Sequence, residues 1–172
     1  NTLILSYSRT AAASIAAKAG KEYKSSTIHS LCFHDLGAVP QQMMQGRQIE
    51  EFCKLIKIPA PDEGFDRYDP SVHQYEIYNY ARTAGIDPLE AYFRYGDLVD
   101  FTFSEYVYFV KSLQRYKEVF GLYEFHDLLE KFDPTDAPRN LLIDESQDNS
   151  YILTTAIEKL VVKWVKRIYL VG

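Results

Sequence analysis

Apolar positions along this chain change their rhythm twice. Leu3 to Tyr7 is a short apolar run of the kind a buried strand requires. Arg9 to Ala19 follows, where Ala11, Ala12, Ala13, Ala16 and Ala17 favour a helix. Gly20 stands where a C-terminal helix cap is expected. Any of Ser25, Ser26 and Thr27 can N-cap a second helix from Ile28 to Leu36, ended by Gly37. Strand, tight turn and helix in that order predict an α/β unit.

From residue 38 to 120 the strand-like runs disappear. Arg47 to Lys57 predicts a helix with Ile49, Phe52, Cys53 and Ile56 on one face. Pro59, Pro61 and Gly64 mark a loop. Val72 to Ala84 predicts a helix ended by Gly85. Thr102-Phe103-Ser104-Glu105 has capping-box spacing and opens a long helix carrying Tyr106, Val110, Leu113 and Phe120, which stops at Gly121. This stretch reads as an all-helical insertion rich in tyrosine. The α/β rhythm then returns. A short helix over Phe125 to Lys131 and a loop punctuated by Pro134 and Pro138 lead to a strand from Asn140 to Ile143. A helix from Tyr151 to Val162 and a strand from Arg167 to Val171 follow. The expected organisation is an α/β core made of residues 1–36 and 121–172, interrupted by a helical subdomain over 38–120.

The length of 172 residues suits one compact domain, or one domain plus an insertion. With 47% hydrophobic and 25% charged residues, the composition is that of an ordinary globular protein. No apolar run approaches the ~20 residues that cross a bilayer, and no secretory leader pattern is visible. No membrane partner is expected. Two cysteines, Cys32 and Cys53, are too few for a disulfide framework; they read as buried free thiols in a reducing, cytoplasmic or nucleoid-associated setting. The net charge of -5 excludes a basic coat, but the charge is uneven. Residues 1–57 hold 7 Lys/Arg against 4 Asp/Glu, and residues 58–172 hold 12 against 20. A mildly basic N-terminal part can face phosphates. Both termini lie against strand-like runs, so the chain is expected to be a segment of a longer one.

The strongest chemical signal is Leu141-Leu142-Ile143-Asp144-Glu145-Ser146-Gln147-Asp148. A strand that ends in two adjacent carboxylates delivers them to the edge of an α/β sheet where ligands bind. There Asp144 can hold Mg²⁺, and Glu145 can orient a water or take its proton. Two acids before a helix also arise simply because the helix dipole favours them. Gln147 and Asp148 weaken that plainer explanation.

The string Asp144-Glu145-Ser146-Gln147-Asp148 resembles the Asp-Glu-x-Gln-Asp motif II of superfamily 1 DNA helicases of the UvrD/Rep type. The resemblance implies Mg²⁺ binding by Asp144, general-base catalysis by Glu145, and coupling of nucleotide state to DNA through Gln147 and Asp148. Other segments match in order. Tyr7-Ser8-Arg9-Thr10-Ala11-Ala12 resembles motif Ia, which implies contacts of Tyr7, Ser8 and Arg9 with single-stranded DNA. Stacking on an aromatic ring and phosphate binding at a helix N-terminus make that chemistry reasonable. Thr10 stands where Lys is common, which removes one basic contact. Thr27-Ile28-His29-Ser30 resembles motif Ib, which implies further DNA contacts by Thr27, His29 and Ser30. A metal site built from His29, Cys32 and His34 would crowd three ligands into six residues, poor geometry for a tetrahedral ion. Tyr123-Glu124-Phe125-His126-Asp127-Leu128-Leu129 is similar to the family's segment before motif II, with Glu124 in place of Asp. Ile168-Tyr169-Leu170-Val171-Gly172 is similar to the start of motif III.

The implied fold is part of a P-loop NTPase of the RecA-like kind, a parallel sheet with an all-helical insertion. The implied cofactors are ATP and Mg²⁺. The implied partner is single-stranded DNA, with duplex DNA a further candidate at the helical insertion. No Gly-x-x-x-x-Gly-Lys-Ser/Thr occurs; Gly20-Lys21-Glu22 lacks both the earlier glycine and the hydroxyl. In the family that loop lies upstream and a second motor domain downstream. The 172 residues alone are therefore expected to hydrolyse no ATP. Two other readings compete: a non-catalytic, helicase-like module that binds DNA or a partner, and a different P-loop enzyme sharing only the two acids.

Overall fold

The computed structural model describes residues 2–19, 23–58, 60, 70–95, 101–135 and 138–171. The cap expected at Gly20 and the loop expected at Pro59, Pro61 and Gly64 lie outside them. Among the described residues there are four strands and eight α-helices, and the four strands form one parallel sheet. The chain divides into two compact units. One joins residues 1–39 to 127–172, and the other is residues 40–126. The first holds ten Lys/Arg and ten Asp/Glu; the second holds nine against fourteen and so carries the whole net charge of -5.

In the first unit β1 (Thr2–Ser6) leads through Tyr7 and Ser8 into α1 (Arg9–Ala19). β2 (Lys24–Thr27) runs directly into α2 (Ile28–Asp35), and the Thr27 hydroxyl caps that helix by accepting from Ser30 N at 3.2 Å. β3 (Asn140–Ile143), α8 (Tyr151–Trp164) and β4 (Arg167–Leu170) complete this unit, and α7 (Phe125–Lys131), which precedes β3, starts in the last two residues of the second unit. The strand order is β2-β1-β3-β4. β1 pairs Ser6 with Thr27 on one side and Leu5 with Ile143 on the other. The chain therefore leaves β1 for β2 in one direction and later returns to its opposite side as β3. The β1/β3 boundary is the point where the sheet reverses its order, and the C-terminal ends of the strands there flank a crevice. Leu3, Leu5, Leu141 and Ile143 are buried, as are Ile28, Leu153, Ile157 and Leu160 from α2 and α8.

The second unit is helical. It contains α3 (Gly46–Ile56), α4 (Pro70–Ala84), α5 (Pro88–Tyr95) and α6 (Phe103–Phe120). Its core is aromatic: Phe52, Tyr75, Tyr78, Tyr106 and Phe109 are buried, and Tyr75 and Phe109 meet edge to face at 4.8 Å. The Thr102 capping box is present, with Glu105 N donating to Thr102 Oγ1 at 3.3 Å and Thr102 N to Glu105 Oε2 at 2.7 Å. The unit's two ends are tied together by Met44 N donating to Tyr123 O at 2.8 Å and Tyr123 N to Gln42 O at 2.7 Å. A buried polar cluster sits beside the aromatic core. Lys117 Nζ donates to Glu124 Oε2 at 2.7 Å, Tyr78 Oη donates to the same oxygen at 3.1 Å, and Arg82 Nη1 donates to Tyr78 Oη at 2.5 Å.

Several expectations need correction. Residues 24–27 form an edge strand, so Ser25 and Ser26 are strand residues and only Thr27 is the cap. Residues 88–95 form a helix, α5, where no element was predicted. Of the residues the long helix carries, Tyr106, Val110 and Leu113 are buried and Phe120 is exposed; α6 ends at Phe120, and Gly121 caps it in the left-handed conformation (φ +62°).

Candidate functional site

The sheet's C-terminal edge gathers much of the chemistry the sequence singled out. Because all four strands are parallel, the residues that follow β1, β2 and β3 emerge on one side. They are Tyr7-Ser8, Ile28-His29 and Asp144-Glu145. A shallow cleft lies there, with a cavity volume of about 10 Å³. Its polar lining is Ser6, Tyr7, His29, Asp144 and Asn149, and its apolar lining includes Leu5, Ile143 and Leu153. That space is about one water's worth, well below the roughly 300–1,000 Å³ typical of small-molecule pockets.

Asp144 is half-buried at the end of β3. Its backbone N donates to Leu5 O at 2.9 Å, which extends the β1/β3 ladder one residue past the strand and fixes where the side chain starts. Across the strand boundary Ser6 Oγ donates to Asp144 Oδ2 at 3.4 Å, a long contact. Glu145 is exposed and sits in the left-handed region at φ 53°, ψ 44°. A non-glycine residue there costs about 1–2 kcal/mol, and such strain gathers at functional sites. Gln147 Nε2 donates to Glu145 Oε2 at 2.6 Å, so the carboxylate is held back over the turn. The turn is pinned by Ser146 N donating to Val171 O at 3.0 Å, and Asn149 Nδ2 donates to Ser146 O at 3.1 Å. The side chain of Asp148 lies outside the described residues.

The predicted DNA-facing residues separate into two groups. Tyr7 is 57% exposed, and Arg9 is exposed at the first turn of α1. His29 and Ser30 are half-buried at the start of α2, with His29 on the cleft. These four present polar or aromatic surface at the sheet edge. Ser8 and Thr27 spend their hydroxyls on the protein itself. Ser8 Oγ accepts from Ala11 N at 3.1 Å, and Thr27, buried, caps α2. Both position a helix N-terminus, whose free amides favour anions.

The donor set suits a hard divalent cation. Asp144 offers a carboxylate, Ser6 a neutral oxygen, and Glu145 a second carboxylate one residue on. Mg²⁺ takes oxygen ligands, usually one or two carboxylates with waters and substrate phosphates. Thiolates play no part. Burial pushes the Cys32 thiol up to about 12, with Asp35 adding to the effect, and burial pushes Cys53 up to about 11. Both are free thiols in the interior.

Sequence reasoning passed over two residues of the cleft, Ser6 and Asn149. The signal for Ser6 was available: it is the last residue of an apolar strand and immediately precedes the aromatic residue of the turn. Asn149 had no comparable signal, since its place on the cleft follows from the 3-10 turn of Ser146–Asp148. Among the described residues no helix is long and apolar enough to cross a membrane. A comparison of the sequence with models of known protein families, and another with curated proteins, finds no match.

Proposed function

We propose that this chain is part of the motor domain of an ATP-dependent DNA helicase or translocase of the UvrD/Rep type, with a RecA-like P-loop core. The observation that carries the reading is the Asp144-Glu145-Ser146-Gln147-Asp148 segment at the C-terminal end of a parallel strand, beside the point where the sheet order reverses. Tyr7 and His29 line the same cleft as Asp144, so residues assigned to DNA and to nucleotide are neighbours. Bound Mg²⁺ and ATP would supply the polarised phosphate. Asp144 would hold the ion, and Glu145 would orient the attacking water and accept its proton. Gln147, already bonded to Glu145, would release or hold that carboxylate as the nucleotide changes. Single-stranded DNA would stack on Tyr7 and meet Arg9, His29 and Ser30. The helical unit's negative charge argues against a phosphate backbone lying along it, so duplex DNA is the weaker assignment there.

The test is ATP hydrolysis, with and without single-stranded DNA, by a protein that carries this segment together with its phosphate loop. DNA-stimulated turnover that Glu145→Gln reduces by at least ~100-fold is expected, since general-base catalysis contributes about 10²–10⁴-fold. DNA binding without turnover would support a non-catalytic helicase-like module instead. Turnover indifferent to DNA would point to another P-loop enzyme. The 172 residues alone, lacking that loop, are expected to show no hydrolysis.

A further inference from the structure

We infer that Ser6 is a positioning residue for the Asp144 carboxylate and thereby sets the cation affinity of the site. The inference rests on the reading of Asp144 as the Mg²⁺ ligand. Ser6 closes β1 and is only 4% exposed, so its hydroxyl has little access to water and must find protein or ligand atoms. The carboxylate of Asp144 faces it across the β1/β3 boundary, with Ser6 Oγ donating to Oδ2 at 3.4 Å. The backbones on either side are locked by the register Leu5 to Ile143 and by Asp144 N donating to Leu5 O at 2.9 Å. The two backbones cannot move apart without breaking the ladder, so only the side-chain rotamers are left to be set.

An isolated aspartate at a strand end samples several side-chain rotamers. A buried hydroxyl on the neighbouring strand favours those that bring Oδ2 toward β1. With that oxygen occupied by a donor, Oδ1 is left for a cation or a water bound to it. The contact is long as it stands, as such bonds often are before a ligand arrives, and it shortens when the carboxylate is drawn into place. Ser6 also directly precedes Tyr7, so the residue that orients the metal ligand shares a backbone with the exposed aromatic ring on the cleft.

The test uses the 172-residue chain with Mn²⁺ as the probe, reading free Mn²⁺ by electron paramagnetic resonance. Three-bond NMR couplings of Asp144 report its χ1 rotamer without any metal. The variants are Ser6→Ala, Ser6→Thr and Asp144→Asn. Wild type and Ser6→Thr, which keeps the hydroxyl, are expected to bind alike and to show one dominant Asp144 rotamer. Ser6→Ala is expected to bind Mn²⁺ about 3–10-fold more weakly, the effect of losing one hydrogen bond of ordinary net strength, as suits a contact this long, and to average the rotamers. A merely structural serine would lower the melting temperature of Ser6→Ala and leave the couplings and Mn²⁺ affinity unchanged. That result, with Asp144→Asn abolishing binding, overturns the role of Ser6 and leaves Asp144 as the ligand. Binding that survives Asp144→Asn, or no binding by wild type, overturns the metal assignment itself and the inference with it.

Discussion

Glu124 sits at the centre of the buried polar cluster of the helical unit, and its removal gives the sharpest test of how that unit is held together. Its side chain is 13% exposed, while those of Lys117 and Arg82 are 9% exposed. One oxygen, Oε2, accepts from both Lys117 Nζ and Tyr78 Oη, and Arg82 Nη1 lies 3.8 Å from it. Glu124→Ala therefore takes away the carboxylate that two buried cations and a buried phenol share. Removing one partner of a buried ion pair costs about 3–5 kcal/mol, chiefly through the charge left behind. In a unit of this size each kcal/mol shifts the midpoint by about 4–8 °C, so a fall of at least ~12 °C is expected for the helical unit. Glu124→Gln keeps an acceptor for Tyr78 and should cost about half as much. Adding Lys117→Met to Glu124→Gln should restore part of the loss, with a coupling of about 0.5–3 kcal/mol. Urea titrations followed by circular dichroism on wild type, Glu124→Ala, Glu124→Gln, Lys117→Met and the double variant give each free energy, and thermal melts of the same chains give the midpoint shifts. A Glu124→Ala midpoint equivalent to within ~1 kcal/mol of wild type would refute the assignment of this cluster as an electrostatic keystone.

Glu145→Gly should stabilise the α/β unit by about 0.5–1 kcal/mol, since glycine removes the left-handed strain at φ 53° but adds unfolded-state entropy. Denaturant melts check this, and a loss of stability would show that the strain is not there. Thr102→Ala should cost about 1 kcal/mol by deleting the α6 capping box, again read by denaturant. Both thiols titrate higher in the folded chain than in the unfolded one because burial disfavours the thiolate. Their contribution is fully present below the unfolded thiol value and fades as pH rises from there toward about 11 for Cys53 and about 12 for Cys32. Stability should therefore fall by up to about 1.4 kcal/mol per pH unit for each thiol above roughly pH 8.5, and Cys→Ser variants should flatten that slope. Alkylation of the native protein at pH 8 should be slow and become fast on adding urea.

The elements that were legible in the sequence are those whose local pattern and burial agree. Asn140–Ile143 is a strand by its apolar run and by its place in the middle of the sheet, so its bounds were readable to the residue. α6 announced both its ends, with Thr102 and Glu105 at one and Gly121 at the other. β2 was hidden because Lys24-Ser25-Ser26-Thr27 is polar and only pairing with β1 makes it a strand; as an edge strand it needs no apolar run. α5 was missed although its start is written plainly. Asp87 Oδ1 accepts from Leu89 N at 2.8 Å and Glu90 N at 3.2 Å, and Pro88 takes the first helical position. At the site, the two acids and the turn residues were readable as a string of residue types. Ser6 meeting Asp144 was not, because it depends on β1 pairing with a strand that begins 134 residues further along the chain.

That long separation has a consequence for how the chain folds. β1 cannot be buried until β3 exists, and β3 follows the whole of residues 40–126. The helical unit is continuous and can fold as soon as it emerges from the ribosome, while the two halves of the sheet wait. Once folded, it holds Gln42 and Met44 against Tyr123 and so brings its own two ends together. For the sheet, the connection between β1 and β3 then behaves as a tether of roughly two-fifths of its covalent length. By loop-closure entropy that saves about 1 kcal/mol. A variant that loosens the helical unit should therefore slow assembly of the sheet even where it leaves every strand residue untouched.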